Sequence, residues 1–438
     1  MHLSRILIGA ALAASIAAAV PANVAAHLSA PFNVPGINKP VIIVTGEVTA
    51  AETWVNTNDY VLRGAVFVRS GATLTIQAGT TVIGESGSVG TLIVERGGKL
   101  MAVGTAAAPI VFTSDQAPGT RSRGDWGGLI INGRAPINLE GGEGAGEGDT
   151  GVYGGSDPDD NSGILKYVRV EFSGIEFSPD NELNGIALQG VGRGTVLDFV
   201  QAHMSRDDAI EFFGGTVDIK HAVMSNAADD SLDWTFGWIG RAQFIAIHQR
   251  GDDADNAIEA DNNEFNNNLL PRSNPQIYNI TICGDHPNGL ASEVQRAGNI
   301  RRGTAFTIRN FLITGMRQGF QIADANTTAQ VNNGTSQMGA GVSWNNLSNM
   351  HSSVTAFINS GRFPSIVVGG GDPGLSTAGC ANHAAPNFQP LPGTLAGGGM
   401  IPFNPPQDGF FEPVSFIGAV APAPAANWMA GWTAFPQN

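Results

Sequence analysis

The stretch RDDAIEF at residues 206–212 recurs as ADDSLDW at 228–234 and, in shorter form, as GDD at 251–253 followed by IE at 258–259. Each copy follows a short apolar run. The second aspartate of each pair recurs at Asp208, Asp230 and Asp253, in steps of 22 and 23 residues. A period of about 22 residues is typical of one coil of a β-solenoid.

Equivalent residues of successive coils in a parallel β-helix stack about 4.8 Å apart. The repeat therefore predicts three columns of side chains. They contain Asp208, Asp230 and Asp253; Glu211, Asp233 and Glu259; and His203, Ser225 and His248. Carboxylates held so close repel one another unless their pKa values rise or a cation binds. Clusters rich in oxygen ligands suit Ca²⁺, so the acidic columns predict a calcium site or a catalytic site.

A second interpretation of the repeated aspartates stays open. Aspartate is common at solenoid turns because its side chain bonds to neighbouring backbone groups. On this interpretation Asp207, Asp229 and Asp252 shape turns and hold no ligand. Repetition of the pair together with a following acid favours the site without excluding the turn.

The rest of the chain extends the solenoid pattern. Short β-branched runs separated by glycine turns fill residues 54–112 and predict coils with almost no helix. The predicted β-helix spans 27–331, and a Gly/Glu/Asp-rich loop interrupts it at 139–162. Residues 332–438, richer in Pro and Gly, predict an irregular flank that packs on the solenoid, with some helix near 345–360.

The acidic loop contains a second, weaker candidate for a cation site. Asp157 and Asp159 lie in a cluster of acids there, but the repeated nonapeptide of known calcium-binding Gly/Asp repeats is missing. The alternative is a flexible acidic loop.

Composition excludes several classes of partner. The net charge is −15, which argues against nucleic acid or an anionic membrane and favours cations. Residues 1–26 combine a positive start, an apolar run and small residues before the cleavage point, as in a secretory signal peptide, and the run is too short to span a membrane. Export makes a disulfide between Cys283 and Cys380 an expectation, with two free thiols as the alternative.

Other segments carry a resemblance to a known family. GKLMAVGTA at 98–106, PIVFTS at 109–114 and GDWGG at 124–128 resemble segments of secreted and surface-exposed bacterial β-helix proteins of the pectin-lyase-like class. The resemblance extends to the Asp-Asp repeat, to FGGTV at 213–217 and to the C-terminal residues. It implies an all-β, right-handed parallel β-helix and export, and it implies no particular reaction.

Two kinds of catalysis are possible on the acidic face. A hydrolase would use Asp208, Asp230 and Asp233 as acid and base, with His203 or His248 tuning their pKa values. The Asp207–Ile210 segment resembles the double-Asp element of polygalacturonases, but the other motifs of that family are missing from the following coils.

A lyase would instead need Ca²⁺ and a basic residue. Arg206 and Arg250 lie at the turns beside the acids and are the candidates, with Lys220 and Arg241 nearby. Their alternative role is to form ion pairs with the acids.

Aromatic residues near the repeat are candidates for stacking on sugar rings. Trp238, flanked by glycines, is expected to be exposed, and Trp126 is the second candidate. Burial in the solenoid core is the alternative. No nucleotide loop, zinc motif or haem attachment sequence occurs, so a nucleotide or redox enzyme is not expected.

These observations together predict a secreted β-helix protein, in the periplasm, at the cell surface or outside the cell. It binds an extended ligand, a polysaccharide, with Ca²⁺ in the acidic columns. The alternatives are a polysaccharide lyase or hydrolase and a structural surface protein or adhesin.

Overall fold

The computed structural model describes residues 27–34, 37–178, 181–286, 295–375 and 377–438. The predicted signal peptide therefore lies outside the described residues. Within them the chain winds as a parallel β-helix, whose strands repeat in three sheets. The strands, numbered in chain order, are β1 His27–Leu28, β2 Val41–Val48, β3 Ala51–Trp54, β4 Asp59–Val68, β5 Thr73–Ile76, β6 Thr81–Gly84, β7 Thr91–Val94, β8 Lys99–Val103, β9 Ile110–Ser114, β10 Gly128–Asn132, β11 Glu143–Ala145, β12 Val152–Gly154, β13 Gly163–Glu171, β14 Ile175–Ser178, β15 Asn181–Leu183, β16 Ile186–Gln189, β17 Val196–His203, β18 Ile210–Phe213, β19 Asp218–Ser225, β20 Leu232–Thr235, β21 Arg241–His248, β22 Ile258–Ala260, β23 Gln276–Cys283, β24 Arg296–Ile300, β25 Thr307–Thr314, β26 Gln318–Ile322, β27 Gln337–Trp344 and β28 Ile366–Val368.

Each coil of the repeat region contributes one long bent strand and one short strand. The first half of the bent strand belongs to sheet 1 and its second half to sheet 2, as in the parallel series β13, β17, β19, β21, β23, β25 and β27. The short strand belongs to sheet 3, as in the parallel series β7, β10, β16, β18, β20, β22, β24 and β26. Residues of one coil are thereby placed directly over residues of the next.

A single residue in the left-handed region makes the bend between sheets 1 and 2. Phe199 has φ 57°, His221 has φ 51° and Asn279 has φ 58° at equivalent positions. The rings of Phe199 and His221 stack with centroids 4.2 Å apart, and His221 stacks in turn on Phe244, the equivalent residue of the next coil, at 5.0 Å. The strain of a positive φ at a non-glycine residue is offset by this stacking along the solenoid axis.

Alternation along the short strands decides which side chains face outward. Ile210 and Phe212 are fully buried in the core of the solenoid, and so are Leu232 and Trp234 one coil further. Because strand side chains alternate between the two faces, the intervening acids Glu211 and Asp233 lie on the outer face of sheet 3.

The solenoid continues beyond the predicted boundary at residue 331. Strand β27 pairs with β25 over its whole length, and β28 pairs with β27. The helices α1 (Ala325–Asn332) and α2 (Ser352–Asn359) lie in the connections of these last coils, and α2 falls where helix is predicted. The irregular flank thus begins after residue 368, because the Gly-rich β27 sequence still pairs as a strand.

The flank covers the outer face of sheet 2. It contains α3 (Thr377–Cys380) and is attached by a disulfide between Cys380 and Cys283 of β23. Trp432 is fully buried against this face, in one apolar cluster with Val223 and Ala246. The flank therefore buries the outer face of sheet 2 at these coils, which is a different face from the one that carries the acids of sheet 3.

The acidic insertion leaves the solenoid after β10 and returns at β13. Its strands β11 and β12 form an antiparallel pair. Tyr153 of β12 packs edge-on against Phe213 on the outer face of sheet 3, with ring centroids 6.1 Å apart. None of the helices in the described part of the chain has the length and apolar character that a membrane crossing requires.

Candidate functional site

An outward column of acids runs across sheet 3, as the sequence predicts. The strand register places Glu211 opposite Asp233 and Asp233 opposite Glu259. The same column holds the apolar residues Ile130 and Ala187 in the preceding coils and continues beyond the acids to Asn299 and Gln321. Three consecutive coils therefore present a carboxylate at the same point of the strand.

A second acidic column lies at the turns that lead into these strands. Asp208 Oδ1 accepts a hydrogen bond from the backbone N–H of Asp230 at 3.0 Å, and Asp230 Oδ1 accepts one from the backbone N–H of Asn256. The third member of this column is thus Asn256, and the prediction that it is Asp253 is wrong. Asp255 correspondingly aligns with Asp207 and Asp229.

The error arose from the position of three extra residues in the third coil. The extra residues lie before Asp255 and not between the turn and Glu259. Asp255 stands four residues before Glu259, just as Asp207 stands four residues before Glu211. This constant spacing is the signal that could have identified Asp255. Asp253 instead forms ion pairs with Arg123 and with Arg206, the latter at 3.3 Å.

The acids of the two columns and the aligned aspartates Asp207, Asp229 and Asp255 form one cluster, here called the acidic ladder. Its members are Asp207, Asp208, Glu211, Asp229, Asp230, Asp233, Asp255 and Glu259. The ladder contains four triads in which one carboxylate oxygen of each residue lies within 4.8 Å of the other two. The triads are Asp207–Asp208–Asp229, Asp208–Glu211–Asp233, Asp229–Asp230–Asp255 and Asp230–Asp233–Glu259.

Burial and mutual repulsion raise the pKa of every carboxyl group in the ladder. Burial is the largest cause throughout, and neighbouring carboxylates add to it in all but Asp255. The pKa of Glu259 rises to about 7, although the guanidinium of Arg301 acts against the increase. The charged state of these groups is therefore costly unless a cation compensates it.

Three buried carboxyl or amide oxygen atoms at the ladder have no hydrogen-bond partner among the described residues. Two are Oδ1 of Asp233 and Oδ1 of Asp255, and the third is Oδ1 of the fully buried Asn184. Asn184 precedes Asp208 in the turn column, and its Nδ2 donates to Glu211 Oε2 at 2.6 Å. A buried acceptor without a hydrogen bond lowers the stability of the fold, so these oxygens indicate a place where a donor or a cation binds.

The arginines predicted beside the acids take part in ion pairs. Arg250 pairs with Asp252 at 3.1 Å. Arg206 pairs with Asp253 and, with Asp207 and Asp229, lines an open groove of about 180 Å³. The structure thus places Arg206 at the ladder, whereas Arg250 neutralises an acid outside it.

The two candidate histidines lie under the C-terminal flank and not at the ladder. His203 lies at 2.8 Å from Ser225 Oγ through Nδ1 and at 2.7 Å from the carbonyl oxygen of Pro436 through Nε2. His248 stacks in the same column and bonds to Asn226. Burial lowers the pKa of His203 to about 4 and that of His248 to about 3. The predicted column is present, but its position on sheet 2 contradicts a role in tuning the acids.

The predicted exposure of Trp238 is also wrong, and the candidate Trp126 is buried as well. Trp238 is fully buried and stacks on Phe212 with ring centroids 3.9 Å apart, and its Nε1–H donates to the carbonyl of Val217. Trp126 is equally buried, and its Nε1–H donates to the carbonyl of Glu171. Neither ring is accessible to a sugar.

The two acids of the insertion predicted to bind a cation, Asp157 and Asp159, are held in local contacts. Asp157 Oδ1 accepts from the backbone N–H of Asp159, and Asp159 pairs with Arg193 at 3.4 Å. Neither residue belongs to a cluster of three ligands within the described residues. This geometry is that of a turn, the alternative to a cation site.

Comparison with known proteins agrees with this architecture. Residues 46–366 match the model of the pectate-lyase like beta helix domain. The chain belongs to this family. A search of curated proteins and a search of solved structures found no match. Family membership establishes the right-handed parallel β-helix and supports a role connected with polysaccharides.

Proposed function

We propose that this member of the pectate-lyase-like β-helix family is an exported protein that binds an extended polysaccharide on the outer face of sheet 3, with Ca²⁺ held by the acidic ladder. The single observation that supports it most is the set of four carboxylate triads, each compact enough to surround one ion. The signal-like residues 1–26 and the Cys283–Cys380 disulfide support export.

The ladder suits calcium in ligand type and in spacing. Ca²⁺ binds carboxylate and carbonyl oxygens at about 2.3–2.6 Å, so two oxygens on opposite sides of one ion lie about 5 Å apart. The oxygens of each triad lie within 4.8 Å of one another. Binding would also give Oδ1 of Asp233 a direct partner, since it has no hydrogen bond among the described residues.

A polymer fits this face because the ladder repeats along the solenoid axis. Ca²⁺ takes six to eight oxygen ligands, and three carboxylates leave positions that hydroxyl or carboxylate groups of sugars can fill. Equivalent triads, such as Asp207–Asp208–Asp229 and Asp229–Asp230–Asp255, are one coil apart, which is about 4.8 Å. An extended chain lying along the axis can therefore contact several equivalent sites.

Calcium binding and polymer binding can be tested on the same preparation. The mature protein is melted with Ca²⁺ and with chelator, and its retention on immobilised acidic and neutral polysaccharides is measured under both conditions. The proposal requires a melting temperature that rises with Ca²⁺ and retention that chelator abolishes. An unchanged melt would refute the cation site, and a calcium-dependent melt without retention would leave a structural protein.

A polysaccharide-degrading enzyme is the second candidate, favoured by the raised pKa of Glu259. A carboxyl group that titrates at about pH 7 can act as a general acid while an ionised neighbour acts as the base. The same polysaccharide panel distinguishes this function. New reducing ends would indicate hydrolysis, and ultraviolet absorbance of unsaturated products would indicate a lyase.

A further inference from the structure

A polar cavity of about 420 Å³ lies beside the last coils of sheet 3. It is lined by residues from the strands β24 and β26, by Gln295 and Arg317 just before them, and by His351 at the start of α2. Its size falls in the range of sites for small ligands. It shares no lining residue with the acidic ladder.

The cavity continues the turn column of the ladder with the opposite charge. Asn256 is bridged to Arg296, Arg296 pairs with Gln318, and Gln318 is bridged to Ser348. The position that carries Asp208 and Asp230 in earlier coils thus carries an arginine and then neutral polar residues. A ligand along this face meets carboxylates first and a guanidinium two or three coils later.

The cavity also holds polar groups that the described part of the chain does not satisfy. The guanidinium of Arg317 forms no hydrogen bond or ion pair with another described residue. Its side chain is partly buried, and no acid lines the cavity. Gln295 is fully buried, and its Oε1 has no partner among the described residues. A buried acceptor and an uncompensated guanidinium in one cavity indicate a ligand that supplies both a donor and a negative charge.

We propose that this cavity binds an acidic sugar residue, with its carboxylate on Arg317 and its hydroxyl groups on Gln295, Gln318 and Gln321. A planar guanidinium matches a carboxylate in two parallel hydrogen bonds. Amide side chains both donate and accept, as sugar hydroxyls do. The assignment to a sugar rests on the proposed function, whereas the assignment to an anion rests on the cavity alone.

The test uses the mature chain in chelator, so that the ladder binds no calcium. Binding of D-glucuronate, D-glucose and inorganic sulfate is measured by ligand-observed NMR for the wild-type protein, Arg317→Gln and Gln321→Ala. The matched control is Arg362→Gln, which removes an exposed arginine outside the cavity. Glucuronate should bind to the wild type and the control alike, and Arg317→Gln should weaken it about tenfold or more. Gln321→Ala should weaken it by a smaller factor.

Three results would overturn the assignment. Equal binding of glucuronate by the wild type and Arg317→Gln would remove the carboxylate partner. Equal binding of glucose would remove the need for an anion, and sulfate binding as tight as glucuronate would leave a simple anion site.

The ladder variant Asp233→Asn separates this proposal from the proposed function. It should leave glucuronate binding unchanged and reduce the rise in Tm that Ca²⁺ causes. Arg317→Gln should weaken glucuronate binding and leave the rise in Tm unchanged. Failure of one site is thus visible independently of the other.

Discussion

Replacing Asp233 by asparagine should change the stability of the protein in opposite directions with and without calcium. Asp233 stands in the middle of the outward column and belongs to two triads. Its Oδ1 is buried without a hydrogen-bond partner among the described residues. Asparagine keeps the size of the side chain, removes the charge and adds a donor that neighbouring carboxylates can accept.

The repulsion that the substitution removes can be estimated from the geometry. Two ionised carboxylates 4.8 Å apart repel by roughly 3 kcal/mol at an effective dielectric constant of about 20. Protonation relieves much of this because the pKa values of the neighbours are raised. We therefore expect a net stabilisation of about 1–2 kcal/mol in chelator, or a rise in Tm of about 1–2 °C for a chain of this length.

Calcium reverses the sign because the same residue then acts as a ligand in two triads. Each tenfold loss of affinity removes about 1.4 kcal/mol of the stabilisation that bound calcium gives. The increase in Tm on adding Ca²⁺ should be reduced by at least half in Asp233→Asn.

Thermal melts of both proteins across a calcium titration measure the two effects, and isothermal titration gives the affinities. Asp372→Asn is the control, because it makes the same chemical change at an exposed turn of the C-terminal flank. A variant that is less stable than the wild type in chelator would refute the repulsion argument. An unchanged calcium response would refute the ligand role.

Three further predictions concern the response to pH, the solenoid core and the disulfide. In chelator, Tm should fall as the pH rises from 6.5 to 8, and Ca²⁺ should reduce the fall, because Glu259 belongs to the ladder whereas Glu147 of the insertion does not. Glu147 and Glu259 have pKa values raised from 4.5 to about 7 in the folded state, so the stability that they contribute below about pH 4.5 is lost as the pH rises through 7. This range avoids the buried histidines, whose lowered pKa values destabilise the fold only at more acidic pH; a flat profile in chelator would contradict the prediction. Trp238→Ala should destabilise the protein by about 3–5 kcal/mol in denaturant titrations, since it empties part of the core, and polysaccharide retention by the folded protein should stay unchanged; lost retention without lost stability would place the ring at the ligand. Replacing Cys283 and Cys380 together by serine opens a loop of 97 residues, which should cost roughly 4–5 kcal/mol and make the flank the first site of limited proteolysis; cleavage elsewhere first would argue against attachment through this bond.

The sequence predicts the parallel coils and the outward acids because both depend on short-range periodicity. Strand side chains alternate with a period of two, so Glu211, Asp233 and Glu259 could be assigned to one face from their neighbours alone. Asp253 could not be assigned by matching Asp-Asp pairs, because insertions in a turn shift residues that look alike. The constant spacing to the next acid was the more reliable signal, since it includes the start of the strand.

The remaining errors concern contacts between distant segments. Trp238 has glycine neighbours that are typical of an exposed turn, but its ring returns into the core to stack on Phe212. The burial of His203 depends on Pro436, which lies 233 residues away in the chain. Local patterns carry no information on which sheet the C-terminal flank covers.

The uniform step between coils has a consequence for how such a site can grow or shrink. The coil of Asp229, Asp230 and Asp233 lies 22 residues after that of Asp207, Asp208 and Glu211, and it brings one strand acid and one acidic turn pair already in register with the coil before it. Duplication of one coil of the acidic ladder would therefore add another set of ligands in the same geometry, and loss of a coil would remove one set. The number of ions and the length of polymer that the protein can hold are thus a matter of copy number, open to change by recombination within one gene.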